Sequence, residues 1–248
     1  MPKVTLTKPA EGSMDWGPAV NQDFTDIESA FKQDLYQREV YEMFAEFENG
    51  VRGTPFIGMV AAAGSGGVAR DGEDNHPGIV ENFNNGAGGY GYISTQVGAF
   101  RLGAGQAVFE AVARVPTLPD ANQSFAFRIG FLDVLNADPV DGVYFELTEA
   151  DSDWQCKTSS NSTRTTSDTG QAAQANTWTR LRIEVNAAGS EANFYIDGTL
   201  KATITTNIPT GSGRETGIIA SIKKTNGTLQ RKVQVDYIYA RIVFSTAR

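Results

Sequence analysis

The nearest approach in this chain to a hydrolytic pair is Glu146 and Glu149, in the run Phe145-Glu146-Leu147-Thr148-Glu149-Ala150-Asp151. Cleaving a glycosidic bond needs two carboxyl groups facing a sugar across a cleft. On a regular strand, residues three apart face opposite ways, so these two acids are expected to diverge. A bulge is the local device that would change this. His76 is the only histidine. Multi-histidine metal sites are thereby excluded, and a serine triad would depend on this one residue. It lies in Asn75-His76-Pro77-Gly78, which reads as a turn into a strand around Ile79, with the imidazole held by local hydrogen bonds. Cys156 follows Trp154 on an expected strand with no base near it in sequence, the setting of a packed thiol rather than a nucleophile. Asp133, Asp138, Asp141, Asp151 and Asp153 are the acids best suited to calcium, which takes several oxygen ligands. Their spacing matches no EF-hand loop, and solvated loop acids account for them more simply. No catalytic residue, metal or cofactor is expected.

Binding chemistry has better material. A glycan site needs an aromatic platform flanked by hydrogen-bonding side chains. Trp154, with Asp153, Gln155 and Arg164 from the Ser/Thr-rich run KTSSNSTRTTSDTGQ (157–171), fits that description. The plainer reading is a partly buried tryptophan beside a solvated loop. Tyr90 and Tyr92, at the end of NNGAGGYGY (84–92), can stack on a sugar ring or simply belong to a strand. The GSGG run (64–67) lacks the strand and helix context of a phosphate loop and reads as a loop.

Strands must position all of these groups. In 178–206, Leu181, Ile183 and Val185 alternate with Arg180, Arg182 and Glu184, as a half-buried strand requires. A turn follows at 187–190, where Gly189 can take a positive φ. A second strand carries Ala192, Phe194 and Ile196 on its dry face. Asp197-Gly198 signals a tight hairpin, and a third strand is expected to turn Leu200, Ala202 and Ile204 inward. Further strands are expected near 107–115, 125–134, 142–149, 153–158, 216–223 and 231–244, the last of them central. Phe125, Phe127, Ile129 and Phe131 form one dry face, and Val143, Phe145 and Leu147 another. Many strands with regular turns make a two-sheet sandwich.

The chain has 248 residues with a net charge of −8 and a pI near 4.8. One large β domain plus a short extra element fits that length. An acidic surface argues against nucleic acid as a partner, and no apolar run is long enough to cross a bilayer. The opening residues show no secretory h-region. A single cysteine leaves stability to packing or assembly. Residues 21–44 differ in character from the rest. Phe24, Ile27, Phe31 and Leu35 repeat at spacings of three and four, with Asp23, Asp26 and Glu28 at the positive end of an expected helix. Such a stripe either docks on the domain or pairs with copies of itself. The expected organisation is 1–44 as an attachment or oligomerisation segment and 45–248 as one sandwich domain.

Several stretches carry a family resemblance. The order of Trp178, alternating strand, glycine turn and Phe-Tyr-Ile-Asp-Gly resembles the late strands of concanavalin A-like (laminin G-like) jelly rolls. NHPGIV (75–80), FRIGFLD (127–133), DGVYFELT (141–148), TTNIPTGSGRETGIIASIKKT (205–225) and VDYIYARI (235–242) together resemble a domain of tailed-bacteriophage structural proteins. The opening LTKP and DWGPAVNQDFTDIESAF resemble the first residues of phage tail-fibre proteins. The resemblance implies a mainly β chain, a two-sheet antiparallel jelly-roll sandwich behind a short N-terminal helical segment. It implies a non-enzymatic virion protein, made in the host cytoplasm and carried as a capsid decoration, cement, head-fibre or short tail-fibre component. Its partners would be other virion proteins and further copies of itself, as a trimer by family habit. The alternative is a carbohydrate-binding module that recognises a host-surface glycan. A glycan hydrolase is the weakest of the three, because the Glu-x-Asp-x-x-Glu strand of laminarinase-type enzymes is missing.

Overall fold

Alternating apolar and polar residues run through most of the chain from Gly105 to Phe244, and each alternating run is a strand. The structure is a computed structural model and describes residues 39–47, 60–63, 66–84, 86 and 88–246. In chain order the strands are β1 (Val40–Glu46), β2 (Val60–Ala63), β3 (Gly66–Glu73), β4 (His76–Asn84), β5 (Tyr90–Ser94), β6 (Gly105–Arg114), β7 (Phe125–Leu132) and β8 (Gly142–Thr148). They continue with β9 (Asp151–Ser160), β10 (Thr163–Ala172), β11 (Thr179–Val185), β12 (Ala192–Ile196), β13 (Thr199–Ile204), β14 (Gly217–Lys224) and β15 (Arg231–Phe244).

They form two antiparallel sheets. The eight-stranded sheet runs β13-β12-β11-β6-β15-β4-β3, with β1 also on β15. The seven-stranded sheet runs β10-β9-β8-β7-β14-β5-β2. The long β15 is central, as expected. One edge pairs with β6, and the other is shared by β4 along its first residues and β1 along its last. The dry faces meet between the sheets. Phe145 packs edge-on against Phe194 with centroids 5.3 Å apart, and Phe109 against Phe131 at 6.1 Å. Phe125, Phe127, Ile129, Phe131, Val143, Phe145 and Leu147 all belong to this core, as their alternation requires.

The meander around Gly189 and Gly198 follows its sequence closely. Gly189 has φ +67° and a Cβ there would lie 2.4 Å from Thr210 Cγ2, so the turn needs glycine. Asp197 and Gly198 both take positive φ, which matches the twist of the flanking strands. Leu200 departs from expectation and is exposed. The register shifts between Phe194 and Tyr195, so Ala202 opposes Phe194 while Leu200 opposes the outward Tyr195. The bulge turns Leu200 to solvent and leaves Ala202 and Ile204 inside.

Other corrections concern segments read as irregular. The Ser/Thr-rich run 157–171 is not a loop but most of the β9–β10 hairpin, turned by Asn161 and Ser162, both at positive φ. Gly66 and Gly67 already belong to β3. At the N-terminus, Val40–Glu46 is a strand paired to β15, so the tail of the stretch read as helical (21–44) is β structure. The Phe24, Ile27, Phe31 and Leu35 stripe lies outside the described residues.

Candidate functional site

The outer face of the seven-stranded sheet carries a row of polar groups in register. Its composition follows from alternation. The core takes Phe127, Ile129, Phe145 and Cys156, so Arg128, Glu146 and Gln155 must face the other way. Strand register then aligns Tyr92, Ser221, Arg128, Glu146 and Gln155 across β5, β14, β7, β8 and β9.

Arg128 organises the middle of this row. Its Nε donates to Glu146 Oε2 at 2.5 Å. One terminal nitrogen pairs with Asp138 and the other donates to Ala137 O at 3.3 Å. Lys157 Nζ donates to the second Glu146 oxygen. Glu146 is thus an acceptor for two cations, one on each oxygen. Asp138 and Ala137 lie in the β7–β8 connection, which folds back over the sheet as a strap. Arg164 Nη2 donates to Pro139 O at 2.7 Å, and Ser159 Oγ to Val140 O at 2.9 Å. Beneath the strap, Leu135 packs on Leu132, Tyr144 and Ile219. Arg214 closes its end through both Asp141 oxygens, at 3.2 and 3.1 Å.

Tyr144 is sealed under this strap. Burial pushes its phenol up to about 12, and the Glu146 carboxylate adds to the shift. A folded-state value above the unfolded one contributes stability that is complete below the ordinary tyrosine value and lost as pH rises through the folded value. Tyr144→Phe removes that dependence. Between pH ~9 and ~11.5, wild type should lose about 2 kcal/mol more stability than Tyr144→Phe, read from urea midpoints. Parallel losses in the two proteins would show that the phenol is already open to solvent.

The end of the face beyond the strap carries Tyr90 and Tyr92. They are alternate residues on β5, so both point outward, and both are half-buried. Their rings lie nearly parallel, 8° apart with centroids at 6.1 Å. Lys223, opposite Tyr90 on β14, sets its Nζ 5.4 Å from that ring and donates to Gly88 O at 2.7 Å. Two amphipathic rings beside the Lys223 ammonium present a ring-stacking surface, while Ser221, Arg128, Glu146 and Gln155 of the neighbouring row are buried.

The residues expected to bind glycan divide between the two faces. Asp153, Gln155 and Arg164 do belong to this outer face. Trp154 does not: it is only 2% exposed and packs edge-on against Phe127 in the core, centroids 5.9 Å apart. It cannot serve as a surface platform. Gln155 is itself buried, and Arg164 is engaged by the strap. Arg128, Lys157, Ser221 and Lys223 were missed, although a lone charge inside the apolar run FAFRIGFL was a visible signal.

The other chemical candidates are placed as follows. Glu149 lies in the β8–β9 turn, off the strand that carries Glu146. Cys156 is fully buried and its thiol is pushed far above the ordinary range by burial. Asp138 and Asp141 are paired to arginines, while Asp151 and Asp153 sit at the opposite end of β9 from the strap. Among the described residues, no three of His, Cys, Asp or Glu come together as metal ligands.

His76 opens β4 on the other sheet, and its partner is not local. Its Nδ1 lies 2.9 Å from Asp236 Oδ2, 160 residues away. Asp236 falls at the register shift between Val235 and Tyr237, where a bulge re-aims its side chain. The imidazole stacks on Trp178 at 4.4 Å, and the Arg114 guanidinium covers that indole at 4.3 Å. Arg114 also grips Glu73, whose carboxyl is held below the usual range by that hydrogen bond first. Stacking and pairing account for both groups as structural clamps.

Comparison with known proteins places the chain as follows. A family model described as SO2946-like, C-terminal domain, matches residues 75–236. No curated protein matches the sequence. Among solved structures, the chain is similar to SO2946, a protein of unknown function from Shewanella oneidensis MR-1, at 13% identity and a TM-score of 0.66, covering 98% of this chain and 99% of that one. It is similar to a carbohydrate esterase of Shiga toxin-encoding bacteriophage phi24B at 14% identity and a TM-score of 0.50, covering 73% and 89%. It is also similar to the metal-free carbohydrate recognition domain of Emp46p at 9% identity and a TM-score of 0.54, covering 81% and 95%. At such identities the likeness shows a shared lectin-like β-sandwich fold.

Proposed function

The chain belongs to the SO2946-like C-terminal domain family, and from that premise we propose that it is a non-catalytic module of a bacteriophage particle whose seven-stranded sheet holds a host-surface glycan. The family description carries no activity, so the reading rests on the surface of the molecule. The observation that carries it is the parallel Tyr90–Tyr92 pair on the open part of the outer face, beside Lys223. A pyranose presents an apolar C–H face to such rings and hydroxyls to the groups around them. Neighbours of the same fold include a carbohydrate recognition domain and a phage carbohydrate esterase, which supports a glycan as ligand and a phage as context. The non-catalytic part draws on Glu146, whose two oxygens are occupied by Arg128 and Lys157, and on the buried Cys156. The particle part draws on the sequence resemblance of residues 45–248 and of the opening segment to phage structural proteins. Attachment through Phe24–Leu35 and a trimeric state belong to the same proposal.

A microarray of bacterial surface polysaccharides tests the glycan. Wild type is expected to bind at least one class. The Tyr90→Ala/Tyr92→Ala double variant should lose ten-fold or more of that binding, since each stacked ring contributes on the order of 1 kcal/mol. Trp154→Phe should retain it. A wild type blank across the array, or a double variant that binds undiminished, overturns the assignment of this face.

A further inference from the structure

A cavity of 510 Å³ opens between β1, the end of β15 and the β5–β6 connection. Its walls are Tyr41, Phe100, Ile242 and Phe244, and Gln96 and Arg101 stand at its rim. The walls follow from strand parity. Tyr41 and Ile242 are direct cross-strand partners on the dry side of the eight-stranded sheet, at the point where the sandwich runs out of covering strands. The Tyr41 and Phe100 rings meet at 56° with centroids 5.0 Å apart, which makes an aromatic corner rather than a flat wall. Phe100 is fixed there by a two-way backbone pairing with Thr216, at 2.8 and 2.7 Å. The corner is therefore preformed.

The polar groups around this corner are unspent. Arg101 is exposed and makes no hydrogen bond or ion pair among the described residues. Neither the Gln96 amide nor the Tyr41 hydroxyl has a side-chain partner among them. Arg114, Arg128, Arg164, Arg182, Arg214 and Arg231 are each ion-paired, whereas Arg180 and Arg241 share with Arg101 the lack of an ion pair among the described residues. Of these three, Arg101 lines the cavity beside the aromatic corner, where its planar guanidinium has the geometry to pair with a carboxylate. The cavity lies within the range of about 300–1,000 Å³ typical of small-molecule sites.

We infer that this cavity binds a small ring-bearing carboxylate, with the ring against Tyr41 and Phe100 and the carboxylate on Arg101. Arg101 offers two parallel N–H donors to the carboxylate, while Gln96 and the Tyr41 hydroxyl reach polar substituents on the ring. The chemistry fits an aromatic acid and a sugar acid alike. The site is independent of the Tyr90–Tyr92 face, which lies on the outer side of the other sheet.

Titration followed by backbone amide shifts tests the inference on the full chain. The probes are benzoate and D-glucuronate, with benzyl alcohol and methyl glucoside as uncharged counterparts. Binding of either acid with shifts across residues 95–104, and a ten-fold or greater loss in Arg101→Gln, is the expected result. Arg101→Lys should keep part of the affinity, because it keeps charge but loses the fork. Benzoate alone points to aromatic acids and glucuronate alone to sugar acids, and both outcomes uphold the site. The Tyr90→Ala/Tyr92→Ala variant should bind the acids as wild type does, which separates this site from the glycan face. The inference is overturned if neither acid binds, if the uncharged probes bind equally, or if Arg101→Gln leaves binding unchanged.

Discussion

Replacing Phe194 with alanine should lower the unfolding free energy by about 3–5 kcal/mol, read as a fall in urea midpoint at unchanged slope. The ring is fully buried and stands perpendicular to Phe145 of the opposite sheet. Its loss removes the transfer energy of a benzyl group and opens a cavity between two sheets whose backbones are tied into ladders on either side. Ile183 and Ala202 flank Phe194 on neighbouring strands, so partial collapse is resisted from both directions. A midpoint equal to wild type would put the ring outside the core and reverse the facing of the whole meander.

The second large effect lies at the site. Glu146→Ala should cost about 3–5 kcal/mol, because it strands buried cations rather than because the ion pair is a strong net stabiliser. The Glu146 side chain is 6% exposed and that of Arg128 10%, so water cannot replace the lost carboxylate freely. Arg128 also carries the strap through Asp138 and Ala137, and the loss should reach the β7–β8 connection. A double-mutant cycle with Arg128→Met separates the terms. The double variant should be less destabilised than the two single losses summed, since no charge is then left unpaired. Strict additivity would mean that Glu146 and Arg128 do not depend on each other.

Much of this fold was legible in the residues, for a definite reason. Strands at 125–132, 142–148, 179–185 and 231–244 alternate apolar and polar side chains or run apolar between turn signals, and burial follows that pattern directly. What escaped notice is what alternation does not encode. A bulge turned Leu200 outward, and another aimed Asp236 at His76. The strand near 153–158 is β9, but the end of β9 and all of β10 read as a loop because Ser and Thr populate both faces and the turn is Asn161-Ser162, without the usual glycine. Trp154 fails as a glycan platform for a simpler reason. Asp153, Trp154 and Gln155 are consecutive, and consecutive residues on a strand cannot share a face. The same rule applied to 90–92 puts both tyrosines on one side. Arg128 was readable as a charge inside an apolar strand, but its partners Asp138, Glu146 and Lys157 emerge only once the register across three strands is known.

The proposal that the sandwich is part of a phage particle is tested most directly by quantitative mass spectrometry of purified particles, counting copies of this chain against the major capsid protein. The account predicts the chain in every preparation at a fixed ratio. A simple fraction of the capsid copy number would mean a capsid decoration, and a handful of copies a tail component. Absence from intact particles, with the protein abundant in the infected lysate, would contradict it.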